Sequence, residues 1–210
     1  IVTITYALLH RIINLLMRLT IPSSPFAVSK IRAWQPSTPG SPDDWRTSLG
    51  QIIVEVEFES GFVGIGVGGG GAASLHVINS LMRTELTNKT FVTPLELHHH
   101  MCQYTSFYGR SGIVPMAISG IDLAIWDAYA KSNNSTVLSI LNANCDPITN
   151  CPMYQTVFDD TDALLATEQG MAAVKLHLER YGSDPDIDEI AELVQRTRAA
   201  VGPDCELMLD

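Results

Sequence analysis

The chain has 210 residues, of which 46% are hydrophobic and 17% charged, and 13 Lys+Arg against 23 Asp+Glu give a formal net charge of -10 with His neutral. Length and composition fit a globular chain of one large or two small domains and exclude a disordered one. The acidic balance, without any Lys/Arg cluster, argues against a nucleic-acid-binding protein and for a well-solvated acidic surface.

Residues 1–20 are awkward. Ile1 to Leu9 is mostly apolar, His10-Arg11 interrupts, and Ile12 to Met17 is largely apolar again. No run reaches the ~20 residues needed to span a bilayer. A signal peptide carries its positive charge ahead of the apolar run, not within it. The segment is read as an unassigned N-terminal extension, and no membrane partner is expected.

From Phe26 the chain turns to short alternating runs. Phe26, Val28, Ile31 and Trp34 predict a strand, followed by turn formers from Pro36 to Pro42. Gln51 to Phe58 alternates as a second strand. Ser60-Gly61 marks a tight turn, and Phe62 to Val67 returns as the partner, completing a three-stranded antiparallel meander. A helix is predicted over 72–86. The glycines from Gly64 to Gly71 lack the βαβ context and the Lys-Ser/Thr of a phosphate cradle, so they read as a loop allowing close backbone packing. A second helix starts at Pro94 and carries His98-His99-His100. Neighbours about 100° apart on a helix do not converge on one ion. The third helix, 113–131, has Ile118, Ile121, Leu123, Ile125 and Trp126 placed to bury one broad side.

Beyond Asn144-Cys145-Asp146-Pro147 the rhythm changes. Strands over 151–157, 172–178 and 205–209 alternate with helices over 161–169, capped by Thr161 or Asp160, and 187–200, closed by Val201-Gly202-Pro203. Such alternation implies parallel βαβ units. The division expected is a first domain over 21–144 and a second over 145–210. Four cysteines at irregular spacings read as unpaired thiols, with Cys145–Cys151 the pair placed to bridge.

Lys175 and His177, two apart on a strand, share one side. An uncompensated buried ammonium is costly, so the pair lies either in an enclosed site or on a solvated edge, or Lys175 pairs with an acid. Asp210 follows a strand-like run and can ligate Mg²⁺ or serve as a loop or cap residue. Arg46 and Arg110 each sit beside an aromatic residue in a predicted loop. Each suits bidentate capture of a substrate carboxylate or an ordinary salt bridge.

Three stretches, AISGIDLAIWDAYAK (Ala117–Lys131), GMAAVKLHLERYG (Gly170–Gly182) and AAVGPDCELMLD (Ala199–Asp210), together resemble the enolase superfamily, in its mandelate racemase-like branch of acid-sugar dehydratases. DDWRTSLGQIIVEVEFESGFVGIG (Asp43–Gly66) is similar to that family's capping meander, and TSFYGRSG (Thr105–Gly112) to a segment of rhamnonate dehydratase-like members. The resemblance implies an α+β capping domain followed by the first βα units of an incomplete (β/α)₈ TIM-type barrel. It implies removal of the proton α to a carboxylate, an enediolate held by Mg²⁺, and loss of the β-hydroxyl as water. Carried across, Asp210 matches the first of three metal-ligating carboxylates, and Lys175 the first basic residue of the second-strand motif. His177 stands where many members have the catalytic Lys, which leaves its role open between base, hydrogen-bond donor and substrate binder. Arg46, and less directly Arg110, match substrate-carboxylate contacts, while Asp122 and Trp126 match structural helix positions. A small acid-sugar substrate, a cytoplasmic location and a homo-oligomeric complete enzyme are expected. The chain itself reads as the N-terminal part of such an enzyme, inactive alone. The alternative is a non-catalytic relative serving as an interaction module.

Overall fold

Alternating burial builds the first sheet of this computed structural model, which describes residues 21–36, 50–142, 151–178 and 186–210. The N-terminal extension, the loop containing Arg46, the Asn144–Pro147 boundary and the end of the GMAAVKLHLERYG stretch lie outside the described residues. The chain separates into two compact units, Ile1–Asp146 and Pro147–Asp210.

In the first unit, β1 (Phe26–Trp34), β2 (Ile52–Phe58), β3 (Val63–Gly68) and β4 (Thr90–Phe91) form an antiparallel sheet in the order β3-β2-β1-β4. Every second residue of β2, from Ile52 to Phe58, is buried, as a period of two demands of a sheet with one covered face. The predicted meander thus gains a fourth strand. β4 is only two residues long, too short for alternation to reveal, and pairs Phe26 with Phe91. Ser29 is an extra residue in β1, since Val28 opposes Phe58 while Lys30 opposes Glu57, and its hydroxyl donates to the Glu57 carbonyl at 3.0 Å.

The helix predicted over 72–86 is one helical run in three parts: α1 (Gly71–Val77), a π-helical turn (Ile78–Met82) and α2 (Arg83–Leu86). α3 (Pro94–Tyr104) starts at the expected proline. The Thr93 hydroxyl caps it by accepting from the Glu96 N–H at 3.2 Å, and Glu96 reaches back to accept from the Val92 N–H at 2.7 Å. α4 (Ile113–Ser132) covers the sheet, and the short α5 (Val137–Leu141) follows. Length and mean hydropathy of 1.3 would let α4 cross a membrane, but its apolar face is packed into the core. Leu123 corrects the predicted burial pattern: it is 51% exposed. Two residues beyond Ile121, it lies about 200° around the helix, on the solvent side.

β3 meets α4 through glycine. A Cβ at Gly64 would stand 2.0 Å from the Ala124 carbonyl oxygen, and one at Gly68 2.8 Å from that of Met116. The sequence reading of close backbone packing is therefore met, by a strand rather than a loop. At the far end of α4, Tyr129 is fully buried with its ring edge-on to Phe26 at 5.6 Å, and Phe26 stacks on Phe58 at 4.4 Å. The Tyr129 hydroxyl donates to the Pro22 carbonyl and accepts from the Ser24 N–H, tying the chain's entry into β1 to the core.

The second unit is a parallel sheet in the order β5-β6-β7, from β5 (Gln155–Val157), α6 (Asp160–Glu168), β6 (Ala173–Leu176), α7 (Ile187–Val201) and β7 (Glu206–Leu209). The caps of α6 and α7 are Asp159 and Asp186, whose carboxylates accept from Asp162 N–H and Asp188 N–H, each at 2.9 Å. For α6 this corrects the expected Thr161 or Asp160 to the residue before both, since Asp159 accepts from the third helical N–H with extended backbone. Val157, Val174 and Leu176 bury one face of the sheet against Ala163 and Ala166 of α6 and Leu193 of α7.

Candidate functional site

Parallel register places the sequence-selected charges of the second unit side by side. Lys175 opposes Thr156 on β5 and Met208 on β7, and Leu176 opposes Val157 and Leu209. Pairing continues past the strand ends: His177 N–H donates to the Val157 carbonyl at 2.9 Å, and Asp210 N–H to that of Leu176 at 3.1 Å. Paired residues share a face and successive residues alternate. Val174 and Leu176 therefore go down into the core, while Lys175, His177 and Asp210 rise together on the opposite face.

All three side chains meet at one atom. Lys175 Nζ lies 2.6 Å from Asp210 Oδ2, and His177 Nδ1 lies 3.1 Å from the same oxygen. Of the alternatives open in the sequence, Lys175 is the one paired to an acid, which removes the penalty of a lone ammonium on a strand. The hydrogen bond from Lys175, with that from His177 adding to it, holds the Asp210 carboxyl below its ordinary value, and the bond to Asp210 holds the Lys175 ammonium above its own. Side-chain exposures of 26% for Lys175, 31% for His177 and 44% for Asp210 leave the cluster open to solvent, where salt screens it.

The residues flanking β5 contribute groups that the sequence reading passed over. The Phe158 ring packs edge-on against His177, with centroids 5.7 Å apart, and Tyr154 acts electrostatically on Lys175. Tyr154, Thr156 and Phe158 alternate along the strand, and that period of two was the available signal. Arg110 is exposed in the first unit, in the loop between the 3₁₀ turn Ser106–Tyr108 and α4. Arg46 lies outside the described residues.

For a divalent cation, Asp210 offers the hard carboxylate oxygen that Mg²⁺ prefers, whereas a full shell takes about six such ligands. Among the described residues no group of three or more His, Cys, Asp or Glu side chains could share an ion. Asp210 fits as a single ligand, and the described residues supply no complete site. The consecutive histidines diverge: His98 faces Asp122 at 3.1 Å and His100 faces Glu85 at 2.7 Å.

Comparison with known proteins agrees with this architecture. Residues 46–141 match the family described as mandelate racemase / muconate lactonizing enzyme, N-terminal domain. L-rhamnonate dehydratase of Saccharopolyspora erythraea is 29% identical over 165 residues, 77% of this chain and 41% of that protein. The 3,6-anhydro-D-galactonate cycloisomerase of Zobellia galactanivorans superposes with a TM-score of 0.70 at 26% identity, covering 88% of this chain and 50% of its own. An enolase from Bradyrhizobium, solved with magnesium and mandelic acid, shares the fold with a TM-score of 0.70 at 24% identity over 89% of this chain and 54% of its own. The chain thus spans about half the length of these proteins. The first unit thus carries, over residues 46–141, the N-terminal capping domain of the mandelate racemase / muconate lactonizing enzyme family, and the chain as a whole, a curled antiparallel sheet with helices followed by parallel βα units, has the fold of these similar proteins.

Proposed function

We propose that the chain is the N-terminal part of a Mg²⁺-dependent acid-sugar dehydratase, with a capping domain over 21–144 and the start of a (β/α)₈ barrel from 145. The observation that carries the reading is the convergence of Lys175 and His177 on one oxygen of Asp210, at adjacent strand ends of a parallel sheet. Parallel βα folds place their chemistry at that end of the strands.

Each side chain has a role in that reading. Lys175, kept as an ammonium by Asp210, is a poor base and instead stabilises negative charge developing on the substrate carboxylate. His177 directs Nδ1 at Asp210, which orients its ring at the strand ends beside Lys175. His177 is the proposed group that takes the proton α to the carboxylate. Expulsion of the β-hydroxyl as water completes the elimination. Asp210 is one of the carboxylates that would hold Mg²⁺, which when bound supplies Lewis-acid neutralisation of the substrate carboxylate. Arg46 and Arg110 are proposed contacts to that carboxylate. A small acid-sugar substrate, a cytoplasmic location and a homo-oligomeric complete enzyme belong to the same proposal. The same proposal holds that the 210 residues alone are inactive, since Asp210 is the one metal carboxylate it assigns among the described residues.

The test reads the coding sequence beyond the Asp210 codon, expresses the longest open frame, and incubates it and the 210-residue chain with L-rhamnonate and related acid sugars. The longer protein should form 2-keto-3-deoxy acid only with Mg²⁺ present, and Asp210→Asn should abolish it. Turnover by the 210-residue chain, or unchanged turnover in Asp210→Asn, would contradict the assignment.

A further inference from the structure

The first unit holds a second cluster of reactive side chains, built from α3 and α4. Cys102 Sγ lies 3.5 Å from His98 Nε2, and His98 Nδ1 lies 3.1 Å from Asp122 Oδ1. His98 and Cys102 are four residues apart on α3 and so stack on one face, while Asp122 reaches across from α4. Acid, imidazole and thiol stand in series, with the acid holding the ring and the ring touching the sulfur. That order activates nucleophilic cysteines irrespective of fold. Cys102 is exposed, so a reagent can reach it.

We infer that Cys102 is a thiol-modification site, activated by the Asp122-oriented His98, and that it reacts with small disulfides. The hydrogen bond to Asp122, and after it the one to Cys102, raises His98 to about 10. The ring is therefore a cation at neutral pH, donating from Nδ1 to Asp122 and from Nε2 to the sulfur. A cation at that distance stabilises negative charge on sulfur as it attacks. The other described cysteines lack this surrounding. Exposed Cys151 contacts the Pro152 carbonyl at 3.8 Å, and buried Cys205 that of Glu206 at 3.6 Å.

The step is a thiol–disulfide exchange. Cys102 sulfur attacks one sulfur of the disulfide, a protein–ligand S–S bond forms, and the original S–S bond breaks. The departing half carries off the electron pair as a thiolate, and the proton given up by Cys102 ends on it. The protein thiol is oxidised to a mixed disulfide as half of the reagent is reduced to a thiol.

The experiment treats the full chain at pH 7 with 5,5′-dithiobis(2-nitrobenzoate), and follows each cysteine by mass spectrometry after timed quenching. Cys102 should label at least about fivefold faster than Cys151, and His98→Gln should bring the two rates together. Circular dichroism spectra that depart from wild type identify any variant that has lost its fold, in which case the wild-type ratio and Cys102→Ser decide. Cys102→Ser should remove the fast phase of thionitrobenzoate release. A wild-type ratio below about fivefold, or a fast phase that survives Cys102→Ser, overturns the assignment.

Discussion

A Cβ on Gly66 would stand 2.2 Å from the carbonyl oxygen of Gly120, so β3 and α4 touch backbone to backbone. The next neighbour of that Cβ is the Ala124 N–H nitrogen at 2.6 Å. Neither atom can rotate away. Gly66→Ala should therefore cost at least ~2 kcal/mol, toward the upper part of the range for overpacked cores. Gly69→Ala is the control, because its Cβ would meet only the Met116 side chain, nearest at Sδ, 3.6 Å away. The urea midpoint of the first unit should fall for the first variant and stay near wild type for the second; equal midpoints would refute the close approach.

Tyr129→Phe should destabilise the same unit by ~1–2 kcal/mol, since it removes a hydroxyl that donates to Pro22 and accepts from Ser24. Thermal melts with matched circular dichroism spectra check this. The wild-type melting temperature in Tyr129→Phe would show that these bonds add nothing beyond what water offers.

His98 predicts how stability varies with pH. Its folded-state value of about 10 lies above the ordinary 6.5, owing first to Asp122 and then to Cys102. A group raised in this way contributes stability fully present below the unfolded value and lost as pH climbs through the folded one. Denaturant midpoints of the first unit should therefore decline between about pH 6.5 and 10, and His98→Gln should flatten that decline. The side chain is 46% exposed, so solvent reduces the effect. A decline of equal size in His98→Gln would assign it to another group.

Asp210→Asn should return the Lys175 amine toward its ordinary value, because the hydrogen bond from Lys175 to Asp210 is the first cause of its elevation. Titration of the Lys175 side-chain carbon signals by NMR measures the shift. Identical titration curves for wild type and variant would show that the ion pair does not form in solution.

Alternation made β1, β2 and β3 legible, and helical spacing did so for α4 and α7, since burial on one face imposes a period that residue types must follow, while Pro94 marked the start of α3. β4 was illegible because two residues carry no period. Leu123 misled because a strongly apolar helix hides its solvent face among residues of the same kind. The pairing of Lys175 with His177 on one side was readable from their spacing alone. Tyr154 and Phe158 share a period of two with Thr156 but were not singled out, because that period does not say which of the two faces is the core.

Local pattern settled the kind of each unit: alternating runs and a glycine-bearing strand for the first, strands interleaved with helices for the second. Those choices rest on side-chain size and polarity a few residues apart, and a sequence displays them directly. Which charges meet was decided by parallel register. Lys175 and Asp210 are distant along the chain, and only the hydrogen bonds joining β6 to β7 bring their side chains to one oxygen. The meeting of Cys102 with Asp122 through His98 depends in the same way on how α3 packs against α4, a contact between helices that neither helix encodes alone.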